Sequence, residues 1–161
     1  MPVGTPLTEQ HKWLAKFEGS WTTTMSNPSA PGMPAVESTG SLESESLGGH
    51  WMINRYEADM NGEQFKAIQT IGFNSEKKKF VGTWVDSITD QLWLYEGELD
   101  ESGKKLILEA EGPSMIDDRK TALFRDAYEF QSDDLIIATS SIQDANGKWI
   151  EFMSGQMKRK K

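Results

Sequence analysis

The sequence contains no cysteine and only two histidines, His11 and His50, among 161 residues. Without cysteine the chain forms no disulfide, no thiolate zinc site and no cysteine nucleophile. Two histidines exclude a site in which three imidazoles of one chain hold a metal ion. No bound metal and no cofactor are expected.

Positive charge is also scarce. Lys and Arg number 17 against 25 Asp and Glu, so the net charge is −8 at pH 7. An acidic surface repels nucleic acid and anionic membranes, and neither is an expected partner. No apolar run approaches the ~18 residues of a membrane-spanning helix. Because residues 1–5 carry no positive side chain and no apolar segment follows, we expect no signal peptide and a cytoplasmic protein.

Aromatic residues, by contrast, are plentiful, with six Trp, seven Phe and three Tyr. Trp13 and Phe17 lie four residues apart in an opening segment that predicts a short helix, with Thr5 as its N-cap and Pro6 as its first residue. Gly19 ends the pattern. The other elements are predicted strands, so we expect the helix to cover one end of the sheet and bury both rings there.

After Gly19 the hydrophobic period becomes alternating, and turn residues recur about every 8–12 residues, as in an all-β meander. The proline-rich segment 27–34 predicts a loop, and Asn61-Gly62 predicts a two-residue hairpin turn. Crossover helices are missing from the pattern, which favours antiparallel pairing. The predicted strands are 21–25, 36–47, 51–60, 64–73, 79–87, 91–99, 105–111, 121–130, 135–143 and 149–157.

A meander of this length must dispose of its exposed edges, and full closure removes them. The sequence therefore predicts an all-β protein: a closed antiparallel up-and-down barrel of about ten strands with one short N-terminal helix. We expect residues 1–161 to form this single domain. The basic end, residues 158–161, is predicted to be a solvated tail.

Alternation within the strands places a few polar residues on apolar, inward faces. Gln69 lies on such a face, and a buried amide must find partners in neighbouring strands, water or a ligand. Asp86 shares a face with Trp84, so it could act as a general acid, bind a polar ligand group, or hold the turn that follows. In the strand 121–130, Asp126 interrupts the apolar face.

Three further residues complete the predicted ligand-binding set. His11 lies on the apolar stripe of the helix, either as a lid over a cavity or as a core histidine bonded to a backbone carbonyl. Arg125 either answers a lumen carboxylate such as Asp86 or Glu109, or forms a cross-strand pair on the surface. A tryptophan such as Trp21 closes a barrel end, walls a cavity or simply fills the core. The predicted ligand-binding residues are His11, Trp21, Gln69, Trp84, Asp86 and Arg125.

Several motifs resemble those of one family. HKWL at 11–14 with FEGSW at 17–21 is similar to its opening pattern, and LGGHW at 47–51 is similar to its next block. The most specific match is IGFN at 71–74 followed by KKFVGTWVDS at 78–87, which resembles a Gly-Tyr-Asp turn leading into a Trp-x-Asp-Ser strand. GK at 147–148 and the basic end resemble its closing hairpin. Together these motifs resemble the bacterial lipocalin-like family known as domain of unknown function 1579.

The resemblance covers nearly the whole chain and implies a calycin-like barrel, but it implies no established activity. The sequence departs from the family pattern at Phe73-Asn74, where Tyr-Asp is usual, and at residues 157–159, where Met-Lys-Arg replaces Tyr-Thr-Arg. These departures weaken any role for the missing hydroxyl and carboxylate groups.

Three functions remain open at this point. The leading hypothesis is a barrel that binds a small, largely apolar molecule in its lumen, with a few polar groups fixing its orientation. The second is a barrel enzyme that uses Asp86 and His11 as an acid–base pair, although the sequence lacks the GxSxG, P-loop, HExxH and GxGxxG motifs. The third is a non-catalytic module that forms homo-oligomers through the outer strand faces.

Overall fold

Ten strands follow one another as antiparallel neighbours in the computed structural model, which describes residues 4–27, 36–60 and 62–161. The strands are β1 Gly19–Asn27, β2 Val36–Leu47, β3 Trp51–Met60, β4 Glu63–Asn74, β5 Lys79–Asp86, β6 Trp93–Leu99, β7 Lys105–Pro113, β8 Thr121–Ser132, β9 Leu135–Gln143 and β10 Trp149–Arg159. Strand β1 pairs with both β2 and β10, so the sheet closes into a barrel. The predicted closed up-and-down barrel is confirmed.

The N-terminal helix begins later than the sequence indicates. Helix α1 spans Glu9–Leu14, and a 3-10 turn, Ala15–Phe17, follows it. Thr8, not Thr5, is the N-cap, because its hydroxyl accepts a hydrogen bond from the His11 amide while His11 Nδ1 accepts one from the Thr8 amide. This reciprocal pair satisfies two backbone donors at once. The predicted cap at Thr5 is therefore wrong.

Strands β3 and β4 form a hairpin at the predicted position. Met60 pairs with Glu63, and Gly62 has a φ of 88°, a left-handed conformation that glycine adopts without a Cβ clash. Asn61, the first residue of the predicted turn, lies outside the described residues. So do residues 28–34 of the predicted proline-rich loop.

The helix covers one end of the barrel, which we call the closed end. Trp13 and Phe17 are buried there, and the Trp13 ring meets the rings of Phe80 and Phe130 edge-on at centroid distances of 6.2 and 5.3 Å. The Trp13 indole N–H also donates to the Gly103 carbonyl oxygen at 2.8 Å. The expectation that the helix covers one end with both rings buried is confirmed.

The C-terminal strand fastens the closed end. Strand β10 extends to Arg159, so residues 158 and 159 belong to the strand and not to the predicted tail, although the Lys158 side chain is exposed as expected. The Arg159 guanidinium lies 4.2 Å from the centre of the Trp21 ring and donates to the carbonyl oxygens of Glu18 at 2.7 Å and Lys16 at 3.0 Å. One side chain thus ties the last strand to the turn that leads into the first.

Inward side chains at the other end, which we call the mouth, keep partial solvent exposure. They are Met25, Phe65, Trp84 and Trp93. None of the helices in the described part of the chain is long and apolar enough to span a membrane.

A polar belt inside the barrel as the candidate functional site

All three tyrosines of the chain point into the lumen. Tyr56, Tyr95 and Tyr128 stand on β3, β6 and β8, and each is less than a tenth exposed because alternation turns it away from solvent. A buried phenol normally finds a hydrogen-bond partner. The partners of these three hydroxyls lie on other strands, so the tyrosines converge from different parts of the wall.

Gln69 joins two of the tyrosines. Its side chain is fully buried, and its Nε2 donates to the Tyr128 hydroxyl at 2.9 Å. Its Oε1 accepts hydrogen bonds from Asn54 Nδ2 at 3.0 Å and from the Tyr56 hydroxyl at 3.3 Å. Asn54 Oδ1 in turn accepts from the Ser44 hydroxyl. The predicted inward position of Gln69 is confirmed. Its amide finds partners on the neighbouring strand β3 and on β8 across the lumen.

Asp126 holds the third tyrosine. Its two carboxylate oxygens accept hydrogen bonds from the Tyr95 hydroxyl at 2.6 Å and the Ser140 hydroxyl at 2.7 Å. Asp126 lies on the inward face of β8, between Phe124 and Tyr128, and keeps partial accessibility. We call the residues of this layer the polar belt: Ser44, Asn54, Tyr56, Gln69, Tyr95, Asp126, Tyr128 and Ser140.

Burial dominates the ionisation of the belt. It raises the pKa of the Asp126 carboxyl above the usual 3.8, although the bonds from Tyr95 and Ser140 act in the opposite direction. Burial also raises the pKa of all three tyrosines, and the nearby Asp126 charge adds to the effect. The tyrosines therefore stay neutral at physiological pH and can donate or accept hydrogen bonds.

Trp84 and Asp86 lie on the mouth side of the belt. Trp84 is the register partner of Gln69, and its ring lies 5.3 Å from the Tyr56 ring. The Trp84 indole N–H donates to Asp86 Oδ2 at 3.0 Å, while Asp86 Oδ1 accepts from the backbone amides of Ile88 and Thr89 at 3.1 Å. Of the three roles considered for Asp86, holding the turn is the one that the contacts show.

His11 is a structural residue of the closed end. Its Nε2 lies 2.9 Å from the Phe73 carbonyl oxygen, and its Nδ1 accepts the hydrogen bond of the helix cap. Both ring nitrogens are therefore engaged, and these bonds require the tautomer that carries hydrogen on Nε2. Burial lowers the pKa of His11, and the nearby His50 adds to that effect. Of the two roles considered for His11, the core histidine bonded to a carbonyl is confirmed.

The proposed acid–base pair of His11 and Asp86 is wrong. His11 contacts Phe73 at one end of β4, whereas Asp86 pairs with Ala67, six residues along the same strand. At about 3.3 Å per residue the two side chains are roughly 20 Å apart. A proton does not pass directly between groups at that distance.

Trp21 and Arg125 also lie apart from the belt. Trp21 is fully buried at the closed end, where its indole N–H donates to the Phe17 carbonyl oxygen at 2.8 Å. Arg125 points outward, donates to Glu109 at 2.7 and 3.0 Å, and lies 4.0 Å over the Trp149 ring. The cross-strand pair considered for Arg125 is confirmed. Of the six predicted site residues, the structure brings together Gln69, Trp84 and Asp86.

Sequence reasoning missed most of the belt. The overlooked residues are Ser44, Asn54, Tyr56, Tyr95, Tyr128 and Ser140. One signal was available: Asp126 breaks an otherwise apolar face, and a carboxyl at such a position needs donors from other strands. Among the described residues, no group of three or more His, Asp or Glu side chains is arranged to hold a metal ion.

The family model of "Protein of unknown function (DUF1579)" matches residues 6–159. The chain belongs to this family. No curated protein matches the sequence. The match confirms the resemblance drawn from the sequence motifs, and the DUF1579 model extends from the residues before α1 to the end of β10.

Solved structures share the fold of this DUF1579 chain at low sequence identity. Rv2717c from M. tuberculosis has a TM-score of 0.68 at 10% identity, with 97% of this chain and 100% of that chain covered. The S-type phycobiliprotein lyase CPES from Guillardia theta has a TM-score of 0.61 at 14% identity, covering 96% and 94%. EF1p2_mFAP2b, solved bound to DFHBI, has a TM-score of 0.51 at 10% identity, covering 93% and 98%. These likenesses establish a shared lipocalin-like barrel fold.

Proposed function

We propose that the protein binds a small, largely apolar molecule in the barrel lumen, with the polar belt fixing its orientation. The observation that carries the proposal is the convergence of three tyrosine hydroxyls, Gln69 and Asp126 on one layer inside the barrel. A barrel needs no such layer to fold, because apolar side chains fill a core without leaving polar groups to satisfy. A few polar groups among apolar and aromatic ones are typical of ligand sites.

The two ends of the barrel differ in a way that supports a ligand entering at the mouth. At the closed end, Phe17 and Trp21 have no solvent exposure. At the mouth, Phe65 and Trp84 face inward but stay partly exposed, with their rings stacked 6.5 Å apart. An exposed aromatic pair above a buried polar layer offers an apolar ligand a stacking surface and a polar anchor in sequence.

Two structural neighbours support the same class of function. EF1p2_mFAP2b holds DFHBI, and CPES is named as a phycobiliprotein lyase. Both share this fold with little sequence identity, so they support small-molecule binding as a use of the barrel and do not identify the ligand here.

Fluorescence tests the proposal. The neutral dye N-phenyl-1-naphthylamine is titrated into the protein while tryptophan emission is followed. We expect saturable quenching, and a roughly tenfold weaker affinity in Trp84→Ala because a stacking surface is lost. The control is Trp149→Ala, which removes an indole from the outer wall. Absence of binding, or equal weakening by both substitutions, would overturn the proposal.

An oligomerising module remains the second candidate. The register partners Ile68 and Val85 are 44% and 43% exposed on the outer face, and Leu94 is 63% exposed on the next strand. Such a strip suits contact with a second copy. Light scattering of the purified chain tests it, and a monomer at all concentrations would contradict it. The cytoplasmic location and the single-domain boundaries 1–161 stay predictions.

A further inference from the structure

The strands place carboxylate side chains in the lumen but almost no basic side chains. Of the Lys, Arg and His residues in the described strands, alternation turns all but Arg159 outward. Arg159 lies at the closed end, engaged with Trp21 and two carbonyl oxygens. The Arg159 amide bonds the Asp134 carbonyl oxygen just before β9, whereas Ser140, which donates to Asp126, lies six residues further along the chain. Arg159 and Asp126 are therefore roughly 20 Å apart. The Asp126 carboxylate therefore has no protein cation as a partner within the described barrel.

Neutral groups alone satisfy Asp126. Tyr95 and Ser140 each donate one hydrogen bond to it, and the other titratable groups around it are the tyrosines 56 and 128. Buried charges in proteins are normally paired with an opposite charge. Burial raises the pKa of Asp126, and a cation beside the carboxyl would act in the opposite direction.

The walls around Asp126 suit an organic cation. The ring of Tyr95 is joined to the carboxylate through its hydroxyl, and Tyr56 and Tyr128 complete the aromatic layer. Aromatic faces attract ammonium groups, most strongly where water is excluded. A carboxylate bonded to one tyrosine and close to two more therefore combines a negative charge with aromatic rings, the two groups that recognise a positively charged nitrogen on an apolar body.

The outer wall beside this layer is acidic too. Residues 62–161 are all described, and within them β6 and β7 pair only between Glu96–Leu99 and Leu106–Glu109. Tyr95, the residue before this ladder, therefore has no pairing partner on β7. A concavity of about 790 Å³ lies over this seam, and inward-facing Gly97 and Ala110 reach it. Two basic residues line this concavity, Lys79 and Arg125. The acidic residues that line it are more numerous: Glu96, Glu98, Asp100, Glu101, Glu109 and Glu111. The resulting negative potential favours the approach of cations.

We propose that the lumen ligand is an organic cation, an aliphatic amine with an apolar or aromatic body, whose ammonium group binds Asp126 among the three tyrosines. This inference rests on the proposed lumen site and adds the chemical class of its ligand. The ammonium donates to the carboxylate oxygens, and the apolar body extends towards Trp84 and Phe65 at the mouth.

Matched ligands that differ in charge test the proposal. Phenethylammonium, 2-phenylethanol and phenylacetate share one ring, and their 1-naphthyl analogues extend it. Binding is measured by NMR chemical-shift titration at pH 7, with the Gln69 carboxamide and Trp84 indole signals reporting the lumen. We expect the cation to bind roughly tenfold or more tightly than the alcohol, because a hydrogen bond to a charged group is stronger than a neutral one. The anion should bind more weakly than the alcohol.

Two variants separate the effect of Asp126 on binding from the effect of the protein's overall negative charge. Asp126→Asn should abolish the preference for the cation over the alcohol. Glu129→Gln removes one charge from the outer face of the same strand and should keep the preference. If Asp126→Asn does not fold, nuclear Overhauser contacts in the unaltered protein decide, since the methylene next to the ammonium should contact the Asp126 and Tyr95 protons.

The outcomes separate this inference from the proposed function. Lumen binding of the alcohol as tight as that of the cation, or a cation preference that survives in Asp126→Asn, overturns the inference and leaves the lumen site standing. Absence of lumen shifts with every ligand overturns both.

Discussion

Asp126 is the residue with the clearest energetic signature. In the unfolded chain its carboxyl ionises near pH 3.9, whereas burial in the folded barrel raises its pKa. Between these two values the folded state binds more protons than the unfolded state. Its contribution to the free energy of unfolding is therefore full in acid and falls as pH rises from about 4 towards the raised pKa.

Replacing Asp126 by Asn should remove this pH dependence. We expect the free energy of unfolding of Asp126→Asn, relative to the parent, to increase as pH rises from about 4, and to level off above the folded pKa. Urea unfolding of both proteins at a series of pH values measures it, with Glu129→Gln as the control. Parallel curves for parent and Asp126→Asn would show that burial does not perturb this carboxyl.

The sequence predicts the face on which some side chains lie, but not their partners across the lumen. The inward position of Gln69 follows from alternation within one strand, and the cross-strand choice for Arg125 follows from the cost of burying an unpaired guanidinium. The bond from Gln69 to Tyr128 does not, because it joins β4 to β8 across the lumen. Alternation tells which face a residue takes but not which distant strand stands opposite it.

At the scale of elements, the helix and the strands were predictable to different degrees. The ten strands follow from alternation and regularly spaced turn residues, and their bounds differ from the prediction by a few residues. The helix start was missed because Thr5 and Thr8 are both acceptable caps. His11 decides between them, since its ring reaches back to the Thr8 amide and so completes the reciprocal bonds.

The helix should contribute strongly to stability through its rings. Trp13 is 9% exposed and packs against Phe17, Phe80 and Phe130. We expect Trp13→Ala to lower the free energy of unfolding by roughly 3–5 kcal/mol, because a large buried side chain leaves a cavity. Denaturant unfolding measures the loss.

Lys12→Ala is the matched control for this substitution. Lys12 lies on the same helix with a side chain 68% exposed, so its removal should change stability by less than about 0.5 kcal/mol. If Trp13→Ala cost no more than Lys12→Ala, the helix would not be packed on the barrel.

At the scale of the whole molecule, the residues that close the barrel and those of the candidate site lie at different positions along the barrel axis. The closed end holds the helix, Trp21 and Arg159, and the contact of Arg159 with Trp21 fastens the last strand to the first. The middle layer holds the polar belt, and the mouth exposes aromatic rings. The most specific motif of the sequence resemblance includes the strand with Trp84. The belt, by contrast, draws eight residues from six strands and forms no local motif.

The central claim is that a small molecule binds within the lumen at the polar belt. The most direct measurement is a two-dimensional ¹H–¹⁵N NMR titration of the unaltered protein with the phenyl and naphthyl ligands. The side-chain signals of Asn54, Gln69 and Trp84 report the lumen, and those of Trp13 and Trp149 report the closed end and the outer wall. We predict saturable shifts of the first three with little change in the other two. Shifts confined to Trp149, or no shift with any ligand, would contradict the claim.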